Sequence, residues 1–374
     1  TLTAGSITGT GSSTQGVLTS TSGFTLNPAT GVTVSVSANL AGAVNLTHSG
    51  AGTANLSGYN AYTGTTTLNA AGVLAITGSG SLSGTSAGVY AGAISIGTGA
   101  TFKYSSSTNQ TLQTGVISGA GNLTKDTDTS SVLTLSGTNT YTGVTTINAG
   151  TLSVSTIGNG GVAGNLGQAT NAASNLVIGG GTLKYTGATA TTDRAFTITN
   201  ASTATIEVST SATDLTISGA SASTSGALTK TGSGRLILSG ANAYTGLTTV
   251  SAGALRAANN TALGTTAGGV TVASGAALEL SGGITIGAEA LTLNNDGISS
   301  GGALRNISGD NTYQGAITLS TNAVRINSDS GTLTLDVASG DGITATNINL
   351  TFGGTGNVAV NDPIATGSGT LTKD

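Results

Sequence analysis

The chain has 374 residues, of which 6% are charged (10 basic and 14 acidic, net charge −4) and 61 are glycine, against roughly 25% charged in an ordinary globular domain. Ten scattered basic residues exclude the clustered phosphate contacts that nucleic-acid binding needs. Zero cysteine excludes disulfides, thiolate zinc sites and cysteine nucleophiles. Hydrophobic residues still make up 37%, which argues against a disordered low-complexity chain.

Taken in chain order, the apolar residues follow a period of two. Val32 to Val36 reads VTVSV, Leu56 to Leu74 reads LSGYNAYTGTTTLNAAGVL, and Ile94 to Ile96 reads ISI. Leu135 to Val154 reads LSGTNTYTGVTTINAGTLSV, and Leu238 to Leu255 reads LSGANAYTGLTTVSAGAL. Four pairs follow: Val270/Val272, Leu278/Leu280, Ile284/Ile286 and Leu291/Leu293, beginning 8, 6 and 7 residues apart. A looser copy, ISGDNTYQGAITL, spans Ile307 to Leu319; LTLDV at Leu333 to Val337 and VAV at Val358 to Val360 close the series.

Alternation puts the aliphatics on one face of short half-buried strands, and recurrence of the longer segments marks a repeat architecture. Three strands per 21 residues, from Val270 to Leu291, with Gly, Ser and Asn at the corners, predict an all-β solenoid: a parallel β-helix with about three short strands per coil. A uniform 21-residue coil would give about 18 coils over residues 1–374 and, at about 4.8 Å per coil, a single continuous rod of roughly 85 Å. No apolar spacing of three and four residues with caps predicts helix. Pro28 and Pro363 suit corners or ends. The competing β-sandwich array wants hairpin dipeptides, and only Asn159-Gly160, Asp296-Gly297 and Asp341-Gly342 offer them.

The repeat resembles the passenger-associated repeat of bacterial autotransporters. Leu228, Thr229, Lys230, Gly232, Gly234, Leu236, Leu238, Ser239, Gly240, Asn242, Tyr244, Thr245, Gly246, Thr248, Thr249, Ala252 and Gly253 follow that pattern. In a second copy Leu123, Thr124 and Lys125 precede a two-residue insertion around Asp126 to Ser131, since the step from Lys125 to Tyr141 exceeds that from Lys230 to Tyr244 by two. In a first copy Leu46 and Thr47 lead into His48 in place of lysine. The copies lie near residues 46–76, 119–154 and 226–257, with the looser copy at 303–319 and an interrupted one at 367–374; the text at Asn165 to Gly187 and Thr191 to Ile198 resembles the stretches between such repeats.

The resemblance implies a right-handed β-helix and an extracellular or surface-displayed protein exported across the outer membrane. The function it implies is a structural or adhesive stalk. Expected partners are cell surfaces, glycans or other copies of the chain, and no cofactor is expected. Two other readings stand beside it: a polysaccharide-binding or polysaccharide-degrading β-helix, and an ice-binding solenoid. The segment GSGTLTKD at Gly367 to Asp374 nearly repeats GAGNLTKD at Gly119 to Asp126 and stops in mid-repeat. That predicts either a piece of a longer passenger or head-to-tail polymerisation, with Thr1 to Gly9 completing the coil. No apolar run is long enough to span a membrane as a helix.

No catalytic or metal residue is assigned. His48, the single histidine, is expected to be structural or surface-exposed. The GxSxG strings at Gly84 to Gly88 and Gly297 to Gly301 lack a predicted strand-to-helix elbow. A glycosidase needs two acids about 5–9 Å apart. The candidates are Asp126 with Asp128, expected in a solvated loop, Asp193 beside Arg194, and Glu207 with Asp214 on neighbouring faces; Glu207, Asp214 and Glu279 form no 21-residue ladder. Asp310, Asp336 and Asp341 are not spaced as a calcium loop. Thr65 to Thr67, Thr145/Thr146 and Thr248/Thr249 recur at intervals too wide for these copies alone to make a continuous threonine ladder. Tyr62, Tyr141, Tyr244 and Tyr313, each two residues after Asn60, Asn139, Asn242 or Asn311, are expected to pack along the coil edge.

Overall fold

A computed structural model describes residues 1–8, 16–85, 88–113, 115–321 and 323–374. The regular structure of the described residues is short parallel strands joined by turns, with two three-residue 3-10 turns at Ala173–Asn175 and Ile298–Ser300. It divides into two compact units, Thr1–Gly187 and Ala188–Asp374. Each unit is a parallel β-solenoid. Gly9 of the opening segment, and Ser86 and Ala87 of the first serine string, lie outside the described residues.

In the first unit one face runs through Thr33–Val36, Thr53–Leu56, Val73–Gly78, Thr101–Ser106 and Asn122–Lys125. A second holds Phe24–Leu26, Leu46–His48, Thr66–Leu68 and Ile94–Ile96. The alternation is read directly into burial: Phe24, Leu26, Leu46, Leu68, Ile94 and Ile96 point inward, and the residue between each pair faces out. In the second unit the inward residues stack coil on coil, as in the column Val250, Val272, Leu293, Leu319. Each such aliphatic contributes about 1.5–3 kcal/mol by leaving water.

Val270 pairs with Leu291, so the coil length read from those strands is the true one there. Elsewhere the coil is not uniform. Arg235 pairs with Ala254 across a shorter coil, whereas Thr145 pairs with Leu176 across a much longer one. Extra residues leave the ladder as corner loops, because inward strand residues must keep register while a corner has no such constraint. A uniform 18-coil count therefore overstates the number of turns.

The expected three strands per coil hold in the first unit from Phe24 to Leu135, where Asn39–Gly42, Ala61–Tyr62, Gln110–Leu112 and Val132–Leu135 supply the third side, and again from Thr285 onward, where Thr285–Ile286, Asn311–Tyr313, Thr332–Leu335 and Asn357–Val360 do. The coils carrying Asn139 and Asn242 have two ladder strands, and their third side is the Asn-x-Tyr-Thr-Gly corner.

Candidate functional site

The corner explains why the repeat needs its residue types. Asn242 is 3% exposed; its Oδ1 accepts the Ser221 N–H at 2.8 Å from the coil before, and its Nδ2 donates to the Ala262 carbonyl at 2.7 Å in the coil after. Asn139 does the same between Ile117 N–H (2.9 Å) and Asn165 O (2.9 Å). Asn60 accepts from Leu40 N–H and donates to Ser81 O, and Asn311 accepts from Ile284 N–H. One amide side chain thus supplies the intercoil bonds that a missing strand would have made.

The tyrosine two residues later is buried in every copy, as expected. Its hydroxyl is matched by the threonine four residues on: Tyr62 with Thr66 at 2.6 Å, Tyr141 with Thr145 at 2.7 Å, Tyr244 with Thr248 at 2.8 Å. The looser copy has Ile317 at that position, and the buried Tyr313 hydroxyl has no partner. Glycine follows because the corner backbone rides on the coil before it. A Cβ at Gly143 would come within 2.1 Å of the Gly121 carbonyl, and one at Gly246 within 2.4 Å of the Gly226 carbonyl.

The Leu-Thr-Lys turn holds a buried amine. Lys230 is fully enclosed, and its Nζ donates to the carbonyls of Thr231 (2.7 Å), Gly232 (2.9 Å) and Ala252 (3.1 Å). Burial brings its pKa down to about 8, against the opposing pull of Glu207. Lys125 is equally enclosed and donates to the Asp128 carbonyl. His48 takes this slot in the first copy, pairing in register with Leu26 and Leu68. It is an interior residue, 0% exposed, with neither ring nitrogen in a hydrogen bond of standard geometry. Burial lowers its pKa, and the backbone at Gly52 offsets only part of that. The surface alternative for His48 is thereby removed.

Most of the acids are held by arginine or by backbone N–H groups. In the second unit Asp214 pairs in register with Arg235, and Glu279 lies between Arg256 and Arg305 on the outer face of the same sheet. Arg235 reaches both Asp214 and Glu279 at 2.7 Å, Arg256 reaches Glu279 at 2.8 Å, and Arg305 reaches Asp329 at 2.7 Å. Under these arginines Glu279 is 1% exposed. Sequence spacing missed this ladder, because Arg256 and Glu279 are partnered across a coil longer than the one read from Val270 and Leu291. Glu207 and Asp214 do lie on adjacent faces, in Thr203–Val208 and Asp214–Ile217, and Glu207 accepts from the Ser209 hydroxyl.

Asp126 and Asp128 sit in the inserted turn. Asp126 pairs with Lys103, and Asp128 caps the Ser130 and Ser131 N–H groups. Asp310 caps Thr332 N–H and Asp336 accepts from Asn361. Asp193 and Arg194 lie in the second unit, with Arg194 only 4% exposed. In the second serine string Ser299 and Ser300 have left-handed backbone (φ 50° and 58°) on the turn Ile298–Ser300, and the Ser300 hydroxyl donates to Asp296. Among the described residues no cluster of three or more His, Cys, Asp or Glu is placed to hold a metal.

One further feature goes beyond the repeat copies themselves. Thr205, Thr229, Thr249, Thr271, Thr292, Thr318 and Thr344 follow one another in register on the outer face of one sheet. The column is continuous because coils outside the close repeat copies supply five of these seven threonines, and the unequal lengths of those coils conceal the alignment in the sequence. A shorter hydroxyl row, Thr25, Thr47, Thr67, Ser95 and Ser118, runs along the first unit. These two rows are thus neutral and hydroxyl-rich.

Comparison with known proteins agrees with the repeat read from the residues. The family profile described as passenger-associated-transport-repeat matches residues 46–76, 130–154 and 228–257. A protein named Adhesin BmaC autotransporter, from Brucella suis biovar 1 (strain 1330), is 46% identical over 74 residues, which cover 20% of this chain. The chain spans only about 2% of that relative's length. No solved structure matches the chain.

Proposed function

We propose that this chain, an autotransporter passenger segment carrying passenger-associated-transport repeats, works at the bacterial cell surface as an adhesive β-helical stalk. The observation that carries the reading is the division of labour in the repeat. Its Asn, Tyr, Thr, Gly and Lys are consumed in holding one coil to the next, so recognition falls to the outer faces, where neutral hydroxyl rows recur coil after coil. A low-charge face of this kind meets other surfaces with little desolvation cost for ions. The adhesin name of the Brucella relative supports the same reading. In this proposal the chain is not an enzyme: Asp214 and Glu279 are both bonded to Arg235 rather than left free to act on a substrate.

Continuity of the coil over residues 1–374 belongs to the proposal, as do cell surfaces, glycans and other copies of the chain as partners. Self-association predicts a mass in solution that rises with concentration in light scattering. The test of adhesion is display of residues 1–374 on a non-adherent bacterium through an unrelated outer-membrane barrel. Adherence to cultured epithelial cells or to glass at least tenfold above the barrel alone is expected. Equality with the barrel on every surface tried would sink the reading.

A further inference from the structure

The two-residue insertion of the second repeat copy has a consequence outside the coil. It throws Thr127 into left-handed backbone (φ 71°), a costly conformation for a β-branched residue. Asp126 beside it reaches Lys103 on the outer face of the preceding coil. The overhanging turn closes one side of an open groove of about 360 Å³ on the outer face of Thr53–Leu56, Val73–Gly78 and Thr101–Ser106. Its floor is small because Ala75 stands in register between Asn55 and Lys103.

The chemistry of the lining is specific. Val73 and Ala75 give an aliphatic floor, Asn55 and Thr77 a polar rim, and Lys103 a donor whose charge is cancelled by its partner Asp126, just outside the lining. Ser105, in register with Thr77, is 8% exposed, and its hydroxyl is buried with no partner. A buried unpaired hydroxyl is a cost to the fold that a ligand group seated against it would remove. The volume falls at the small end of ligand-sized clefts.

We propose that this groove binds one residue of a neutral glycan. The ring's C–H face would lie on Val73 and Ala75, and its hydroxyls would meet Asn55, Ser105 and the Lys103–Asp126 pair. The net neutrality of that pair selects an uncharged sugar; a sialic or uronic acid would have to draw Lys103 away from Asp126. The inference rests on the adhesive reading above and names the partner for one place on the stalk.

The test uses the whole chain on an array of oligosaccharides of glucose, galactose, mannose and N-acetylglucosamine, with sialylated and uronic-acid glycans beside them, followed by titration of the best binder. Binding to at least one neutral glycan is expected, weakened at least tenfold by Ala75→Leu, which fills the groove. Asn55→Ala, on the outer face with no side-chain bond to lose, should weaken binding at an unchanged melting temperature, which guards against misfolding of the first variant. Binding confined to acidic glycans, no binding at all, or full binding by Asn55→Ala and a folded Ala75→Leu would each overturn the inference. A silent array together with adherent displaying cells removes the glycan groove and leaves adhesion standing. Array binding without cell adherence does the reverse.

Discussion

Asn242 bridges two neighbouring coils with one side chain, and its removal strands a buried N–H on Ser221 and a carbonyl on Ala262. Asn242→Ala is therefore expected to cost about 2–3 kcal/mol, measured by chemical denaturation. The tyrosines divide by their partner. Tyr244→Phe should cost about 1 kcal/mol through its lost bond to Thr248, whereas Tyr313→Phe should be neutral or stabilising, since it deletes an orphaned hydroxyl. Melting temperatures of the two variants check this, and equal losses would contradict it. Glu289, 3% exposed, accepts the Gly269 N–H at 3.1 Å, and burial raises its pKa to about 7. The folded form favours the protonated acid, so this group's contribution is complete below the unfolded carboxylate range near 4.5 and is lost as pH rises through about 7. Glu289→Gln should flatten that slope and stabilise the protein at pH 8 on the order of 1–3 kcal/mol. At this scale the sequence was partly legible. Period two already placed Lys230 on the same side as Leu228, so its burial could be read; the carbonyl cage that makes burial tolerable is completed by Ala252 in the next coil, and that could not.

Strands and corners obey different rules. Inward aliphatics hold register, so strand positions such as Val270/Val272 and Leu291/Leu293 were readable from alternation alone. Corner length is free, and this hid the longer outward stacks, although single steps such as Asp214 to Arg235 keep the coil length of Val270 to Leu291. The threonine column and the Asp214–Arg235–Glu279–Arg256 ladder emerge only once coils of unequal length are aligned. The ladder has a measurable role. Glu279→Ala leaves Arg235 and Arg256 facing each other, with Asp214 the remaining acid on Arg235. The guanidiniums are partly solvated, so the loss should be about 1–3 kcal/mol, less than for a fully buried pair. Denaturation in low and high salt should show the mutant gaining from salt as the exposed arginine repulsion is screened. An unchanged midpoint would mean that the ladder contributes nothing.

Across the whole molecule, stability and recognition are assigned to different sides of the same coil. The repeat builds the interior and the corners, and the proposed adhesion falls to the face that it leaves to solvent. That separation can be measured directly as adherence of bacteria displaying residues 1–374, with Tyr244→Phe displayed in parallel and melting followed on the purified variant. The account predicts adherence well above the barrel alone, kept within about twofold by Tyr244→Phe at growth temperature while melting falls. Loss of adherence at an unchanged melting temperature would make the repeat tyrosine a contact residue and contradict the account.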